Sequence, residues 1–232
     1  MISRIHLIGV GCGLMFLLCY LLGLWWLAGF VPAHPPSDTA VDIAHAYQRN
    51  LSGIRLGMVF VMLAAAFYLP WTVTLSALVR RMEGEAHFLA PCQLIGGVAS
   101  SMFFVLPALF WQVAAFRPER DPSLVLLLND IGWILTVTPV PPFLVQFLPL
   151  GAAILLDRNR PAVMPRWMGF ATLWACVLYL PGSAAYFFKL GPFAWNGLLA
   201  FWVPLSVFVA WELGLCYLAF RQIRRSSVQE LR

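Results

Sequence analysis

Residues 51–79 read LSGIRLGMVFVMLAAAFYLPWTVTLSALV, with Arg80-Arg81 directly after them. Arg55 is the one charged residue in that run. About twenty mostly apolar residues in helical form cross a bilayer's hydrocarbon core. Helix is the form such a segment must take, because lipid offers its backbone N–H and C=O groups no partners. This run exceeds the minimum, so it tilts or projects beyond the lipid.

Working outward, comparable runs occur near 5–30, 92–116, 124–156, 167–190 and 193–220. The sequence therefore predicts an all-α polytopic bundle of about six transmembrane helices, a single unit over 1–232. Asn129-Asp130 and a cluster of prolines interrupt the fourth run, which leaves a partly re-entrant start open. Composition agrees: 61% of the residues are hydrophobic and 11% charged, against about a quarter charged in soluble domains. The run at 5–30 is too long for a secretory signal core and reads as an uncleaved first helix. The five cysteines form no C-x-x-C pair, so they read as small buried apolar residues.

The net charge of +5 is distributed as membrane topology requires, and no nucleic-acid partner is assigned. With the N-terminus inside, the cytoplasmic side receives Arg4, Arg80, Arg81, Arg158, Arg160, Arg166, Arg221, Arg224, Arg225 and Arg232. The outer side receives Arg49, Arg55, Arg117, Arg120 and Lys189. This excess places both termini in the cytoplasm. Between the first two spans, 37–49 is expected to form a short amphipathic outer helix capped by Ser37 or Asp38. Val41, Ala44 and Tyr47 share its apolar face, while Asp38, Asp42, His45 and Arg49 share the other. Such a helix is placed to act as a lid. Its acids and imidazoles, with His34 nearby, read as a solvated face, and no metal is assigned.

Charges inside a span are costly and mark candidate sites. Arg55 lies roughly 6 Å and Asp130 roughly 9 Å below the outer starts of their runs, at about 1.5 Å per residue. Gln112, Asn129 and Asn196 fall near the same layer. An outer polar cluster with an Arg55–Asp130 ion pair is the expectation, either functional or fixing helix packing. Glu212 stands alone, about 12 Å from the inner end of the last span. Gln146, Thr74 and Ser76 are its expected hydrogen-bond partners.

Pro70, Pro107, Pro139, Pro181 and Pro204 each fall in the middle of a different span. Each removes a backbone hydrogen bond and favours a kink, so a midplane cavity is expected. Trp111, Trp133, Trp174, Trp202 and Trp211 lie within spans, where they either line a pocket or simply pack. Trp25, Trp26, Trp167 and Trp195 read as interface anchors. No buried histidine pair, H-E-x-x-H or phosphate-binding glycine loop occurs, and no cofactor is assigned.

The segments Leu127–Trp133, Pro141-Pro142-Phe143 and Gly191–Gly197 resemble a widespread set of uncharacterised bacterial multi-pass membrane proteins. The resemblance covers the C-terminal half. It implies a bacterial inner-membrane placement among membrane lipids and supplies no catalytic residues. The leading functional expectation is binding of a hydrophobic or amphipathic small molecule for transport, sensing or delivery. Its ligand-binding candidates are Arg55, Gln112, Asn129, Asp130, Trp133, Gln146, Asn196, Trp202 and Glu212. The alternatives are an enzyme using Asp130 or Glu212 for acid–base chemistry on a lipid or isoprenoid, and an accessory subunit of a larger complex. A partner subunit or a second copy of the chain is possible in each case.

Overall fold

The computed structural model describes residues 2–229. Arg232, placed in the inner basic cluster, lies outside the described residues, as does the side chain of Arg4. Among the described residues there is no strand. Six helices among the described residues are long and apolar enough to cross a membrane: Ile5–Leu27, Leu51–Glu83, Leu89–Phe116, Pro122–Leu156, Arg166–Tyr186 and Leu198–Arg225. The fifth stops short of the expected 190, and the sixth runs from 198 to 225 rather than from 193 to 220.

Helix α1 (Ile2–Leu21) continues through a π-helical turn, Leu22–Leu27, before the chain reaches α2 (Ala40–Arg49). The cap of α2 is Thr39, not Ser37 or Asp38. A reciprocal box needs an acid three residues after the cap. Thr39 has Asp42 there, whereas Ser37 has Ala40 and Asp38 has Val41. The Asp42 amide donates to Thr39 Oγ1 (3.3 Å), and the Asp42 carboxylate accepts from the Thr39 amide (3.2 Å). The Thr39 hydroxyl also donates to the Asp42 carboxylate (2.6 Å), and this bond, with that from the Thr39 amide, holds the carboxyl below its ordinary pKa. Ile43, Ala44 and Tyr47 form the buried face of α2, and Val41 points away, 51% exposed. The helix lies on the bundle end where α3 begins and α4 finishes, and it packs mainly on α5.

Helices α3 (Leu51–Glu83) and α4 (Leu89–Phe116) form the central hairpin. The Glu83 carboxylate accepts from the amides of Phe88, Leu89 and Ala90 at 2.6–3.2 Å. The end of one helix thereby satisfies the orphan donors of the next. The fourth span is two helices, α5 (Pro122–Val137) and α6 (Val140–Leu156). Pro139 separates them, since it cannot donate into a continuing helix. Thr138 Oγ1 donates to the Ile134 carbonyl (2.7 Å) and closes the α5 end. Helix α7 (Arg166–Tyr179) gives way at Leu180-Pro181 to a 3-10 segment, Leu180–Tyr186. A π-helical turn, Leu198–Trp202, then leads into α8 (Val203–Gln229).

The packing closes on itself: α1 lies on α3, α3 on α4, α4 on α6, α6 on α7, α7 on α8, and α8 returns to α1. Gly96 permits the α4–α6 crossing. A Cβ there would lie 2.4 Å from the Gln146 nitrogen and 2.6 Å from the Val145 carbonyl carbon. Without strong hydrophobic drive between helices in lipid, such close backbone packing is a principal source of association. Leu63, Val73, Ile95, Leu109, Trp174 and Val177 face outward and are more than two-fifths exposed, as a lipid-facing surface requires. This is a multi-pass α-helical membrane protein.

Candidate functional site

Three backbone irregularities meet at one place in the bundle. The Pro139 hinge, the end of α7 and the π-helical turn before Pro204 surround a half-open cleft of about 90 Å³. Tyr20, Phe104, Phe143, Tyr179, Phe201 and Phe208 supply its aromatic wall. Thr136 and Ala200 also line it, and no charged side chain does. The cleft exists because α7 ceases to be a regular helix at Tyr179, so the gap between the α5–α6 hinge and α8 is not filled. The midplane cavity expected from the prolines thus becomes a cleft bordered by Pro139 and Pro204, with Pro181 just beyond Tyr179. Pro70 and Pro107 stay within continuous helices.

A buried polar network stands behind the aromatic wall. Tyr68 donates to Gln146 Oε1 (2.7 Å), and Gln93 Nε2 donates to Thr72 Oγ1 (3.0 Å). Gln146 Nε2 reaches the same Thr72 oxygen at 3.5 Å. Three helices, α3, α4 and α6, are tied together by these amides and hydroxyls. Gln146 therefore bonds Tyr68 rather than Glu212. Thr74 donates to the Pro70 carbonyl and Ser76 to the Ala90 carbonyl, so neither serves the acid.

Glu212 has no exposed surface. Its Oε1 accepts a long bond from Cys216 Sγ (4.0 Å), and its Oε2 has no partner among the described residues. The Trp71 indole N–H interacts with the carboxyl but falls outside hydrogen-bond geometry. Tyr68 and Tyr179 lie within its electrostatic reach. Tyr179 lines the cleft, while its buried hydroxyl has no hydrogen-bond partner among the described residues.

At the α2 end the predicted polar layer divides. The Arg55–Asp130 ion pair does not form. Arg55 Nε and Nη2 donate to the Ala115 carbonyl (3.0 and 2.9 Å), and Nη2 also donates to Phe116 (2.9 Å). The last carbonyls of a helix lack intrahelical donors and carry the negative end of its dipole, so they attract a guanidinium. The depth estimate overlooked the reach of the arginine stem. Gln112 joins Arg55, donating to its carbonyl (2.7 Å). Asn129 accepts from Tyr47 (3.3 Å) and thereby anchors α2 on α5. Half-buried Asp130 has only a 3.5 Å contact from Asn129 and feels the charge of Lys189. Asn196 enters none of these bonds and sits in the loop before the π-helical turn.

Because the ion pair is absent, a double-mutant cycle on Arg55→Ala and Asp130→Ala should show additivity within about 0.5 kcal/mol. Arg55→Ala alone should cost about 1.5–3 kcal/mol by losing charge-assisted bonds, read from denaturation in mixed micelles. A coupling energy above 1 kcal/mol would restore the pair.

The tryptophans also separate. Trp133 is fully buried against Phe30, Trp111 and Phe201, with ring centroids 5.1–5.9 Å away. Trp202 leans edge-on on Phe201 and does not line the cleft. Trp174 is 63% exposed and belongs to the outer surface. Trp195, expected as an interface anchor, is buried, and its indole donates to the His34 carbonyl (2.8 Å). Burial lowers the pKa of His34, which lies 3.9 Å from Asp38.

Sequence reading missed Tyr68, Thr72, Gln93 and Tyr179. Tyr68 and Thr72 were detectable at helical spacing i, i+4 on the stripe that also carries Trp71 and Leu75. No family model, no curated protein and no solved structure matches this chain.

Proposed function

We propose that the protein takes a hydrophobic or amphipathic small molecule from the surrounding lipid into the aromatic cleft, for transport, sensing or delivery. The observation that carries this reading is the uncharged, half-open cleft of about 90 Å³ among six aromatic rings. Pockets for small molecules are concave and mostly apolar, with a few polar groups that fix orientation. Neither Asp130 nor Glu212 lines the cleft, so binding is preferred over acid–base catalysis. The test is photolabelling in nanodiscs with a diazirine-bearing hydrocarbon probe. Peptides containing Phe143 and Phe208 should be labelled preferentially, and Ala200→Trp, which fills the cleft, should reduce that label at least about fivefold, the scale of a lost 1 kcal/mol. Labelling spread evenly over outward positions such as Leu63 and Trp174 would reject the reading.

We further place the chain in a bacterial inner membrane with both termini in the cytoplasm. The support is the arginine excess at the end opposite α2. Cysteine substitutions at Asp42 and Ser123 should react with an impermeant reagent in intact cells. Those at Glu85 and Ser226 should require permeabilisation. Reaction of all four from outside would overturn the topology.

A further inference from the structure

We infer that the groove between the start of α7 and the end of α8 holds the phosphate headgroup of an anionic phospholipid. The groove is separate from the aromatic cleft and shares no lining residue with it. It lies at the end of the bundle opposite α2. Its volume of about 290 Å³ far exceeds the roughly 10–15 Å³ that admits one water. The loop before α7 supplies one wall through Ala162, Val163, Met164 and Pro165. The other wall is one face of α8, where Leu218, Arg221, Gln222 and Arg225 recur at helical spacing.

Charge selects the ligand. Arg221 and Arg225 stand one turn apart, both exposed, and among the described residues neither pairs with a carboxylate. No acid lines the groove among those residues either. Asp157 stays outside it, accepting from the Asn159 and Val163 amides (2.9 and 2.7 Å) and so folding the loop that forms the wall. Two guanidiniums offer forked donors that match phosphate oxygens. Helix α7 adds to them, because it begins at Pro165 without a side-chain cap. Its first amides lack intrahelical acceptors, and its dipole is positive at this end. The surroundings favour a lipid over a soluble phosphate. Val163 and Met164 give the groove a buried apolar wall. Arg221 reaches the hydroxyl of Tyr217 (3.5 Å), a residue 58% exposed within the sixth span. The groove thus borders surface that acyl chains cover, as basic pockets between spans do where they bind anionic headgroups. A zwitterionic lipid would add an ammonium beside two guanidiniums, a like-charge cost that an anionic lipid avoids.

The experiment uses the full chain in phosphatidylcholine nanodiscs and two photoprobes, phosphatidylglycerol and phosphatidylcholine, each with a diazirine close to the glycerol backbone. At equal mole fraction the phosphatidylglycerol probe should label the peptides containing Val163 and Leu218 about fivefold more than the phosphatidylcholine probe, the scale of one arginine acting on an anionic headgroup. The double variant Arg221→Gln/Arg225→Gln should bring the two probes together. Arg80→Gln/Arg160→Gln removes the same charge from exposed positions at the same end but outside the groove, and should keep the preference. Equal labelling by the two probes in the unaltered chain, an intact preference in Arg221→Gln/Arg225→Gln, or an equal loss in Arg80→Gln/Arg160→Gln would overturn the inference. Loss of the label on adding excess inorganic phosphate at constant ionic strength would also overturn it, by assigning the groove to a soluble phosphate.

Discussion

Gly96→Val is expected to destabilise the bundle by about 3 kcal/mol or more, the upper end of overpacking costs. The Cβ would lie 2.4 Å from the Gln146 nitrogen, 2.6 Å from the Val145 carbonyl carbon and 2.8 Å from the Gln146 Cα. These are backbone atoms, so no rotamer change relieves them. Helix α6 would have to move off α4, carrying Gln146 away from Tyr68 and Thr72 and leaving buried amide and hydroxyl groups unsatisfied. The measurements are the yield of monodisperse protein and the free energy of denaturation in mixed micelles. Gly11→Ala is the control, because a Cβ at Gly11 meets nothing within 4 Å. It should be neutral or slightly stabilising, as alanine is the better helix former. Gly96→Val behaving like Gly11→Ala would mean that the α4–α6 crossing is not the close contact described above.

The spans were legible because lipid imposes one long apolar helix at a time, a signal that needs no tertiary information. Depth along each helix was legible too. Rotation about each helix was not, because in an apolar run the buried and lipid-facing stripes have nearly the same composition. Thr74 and Ser76 were chosen over Thr72 for that reason. Yet Thr72, with Tyr68, Trp71 and Leu75, occupies the stripe that is fully buried. Trp174 and Trp195 exchanged expected places on the same account. In both cases burial depends on which neighbour a residue faces.

The polar sites failed differently. Arg55 and Asp130 share a layer, but depth alone does not choose a partner for a long side chain. The uncapped carbonyls of Ala115 and Phe116 satisfied the guanidinium first. The cleft was foreshadowed by the prolines but not located by them. Only Pro139 and Pro204 border it directly. Its aromatic wall comes from helices whose adjacency no sequence pattern fixes.

Glu212→Ala should cost about 2–4 kcal/mol of stability, whereas Glu212→Gln should cost under about 1 kcal/mol. The glutamate is wholly buried on α8, which packs on α1 and α7. Gly13 allows that approach: a Cβ on it would lie 2.9 Å from both Cys216 Sγ and the Trp71 ring. Truncation to alanine therefore leaves a void in a tightly closed region and removes the oxygen facing the Trp71 indole N–H. Glutamine keeps the volume and an acceptor oxygen, and it introduces no charge. Glu212→Leu separates the two contributions, since it fills most of the space but accepts nothing, and should fall between the others. The variants are to be compared by denaturation in mixed micelles at one pH, with insertion checked separately. If glutamine were as damaging as alanine, the carboxyl itself would be required for folding, through a cation pairing not present here, and the description of Glu212 as an unpaired acid would be wrong. If leucine matched glutamine, volume alone would account for the site, and the Trp71 contact would contribute nothing measurable.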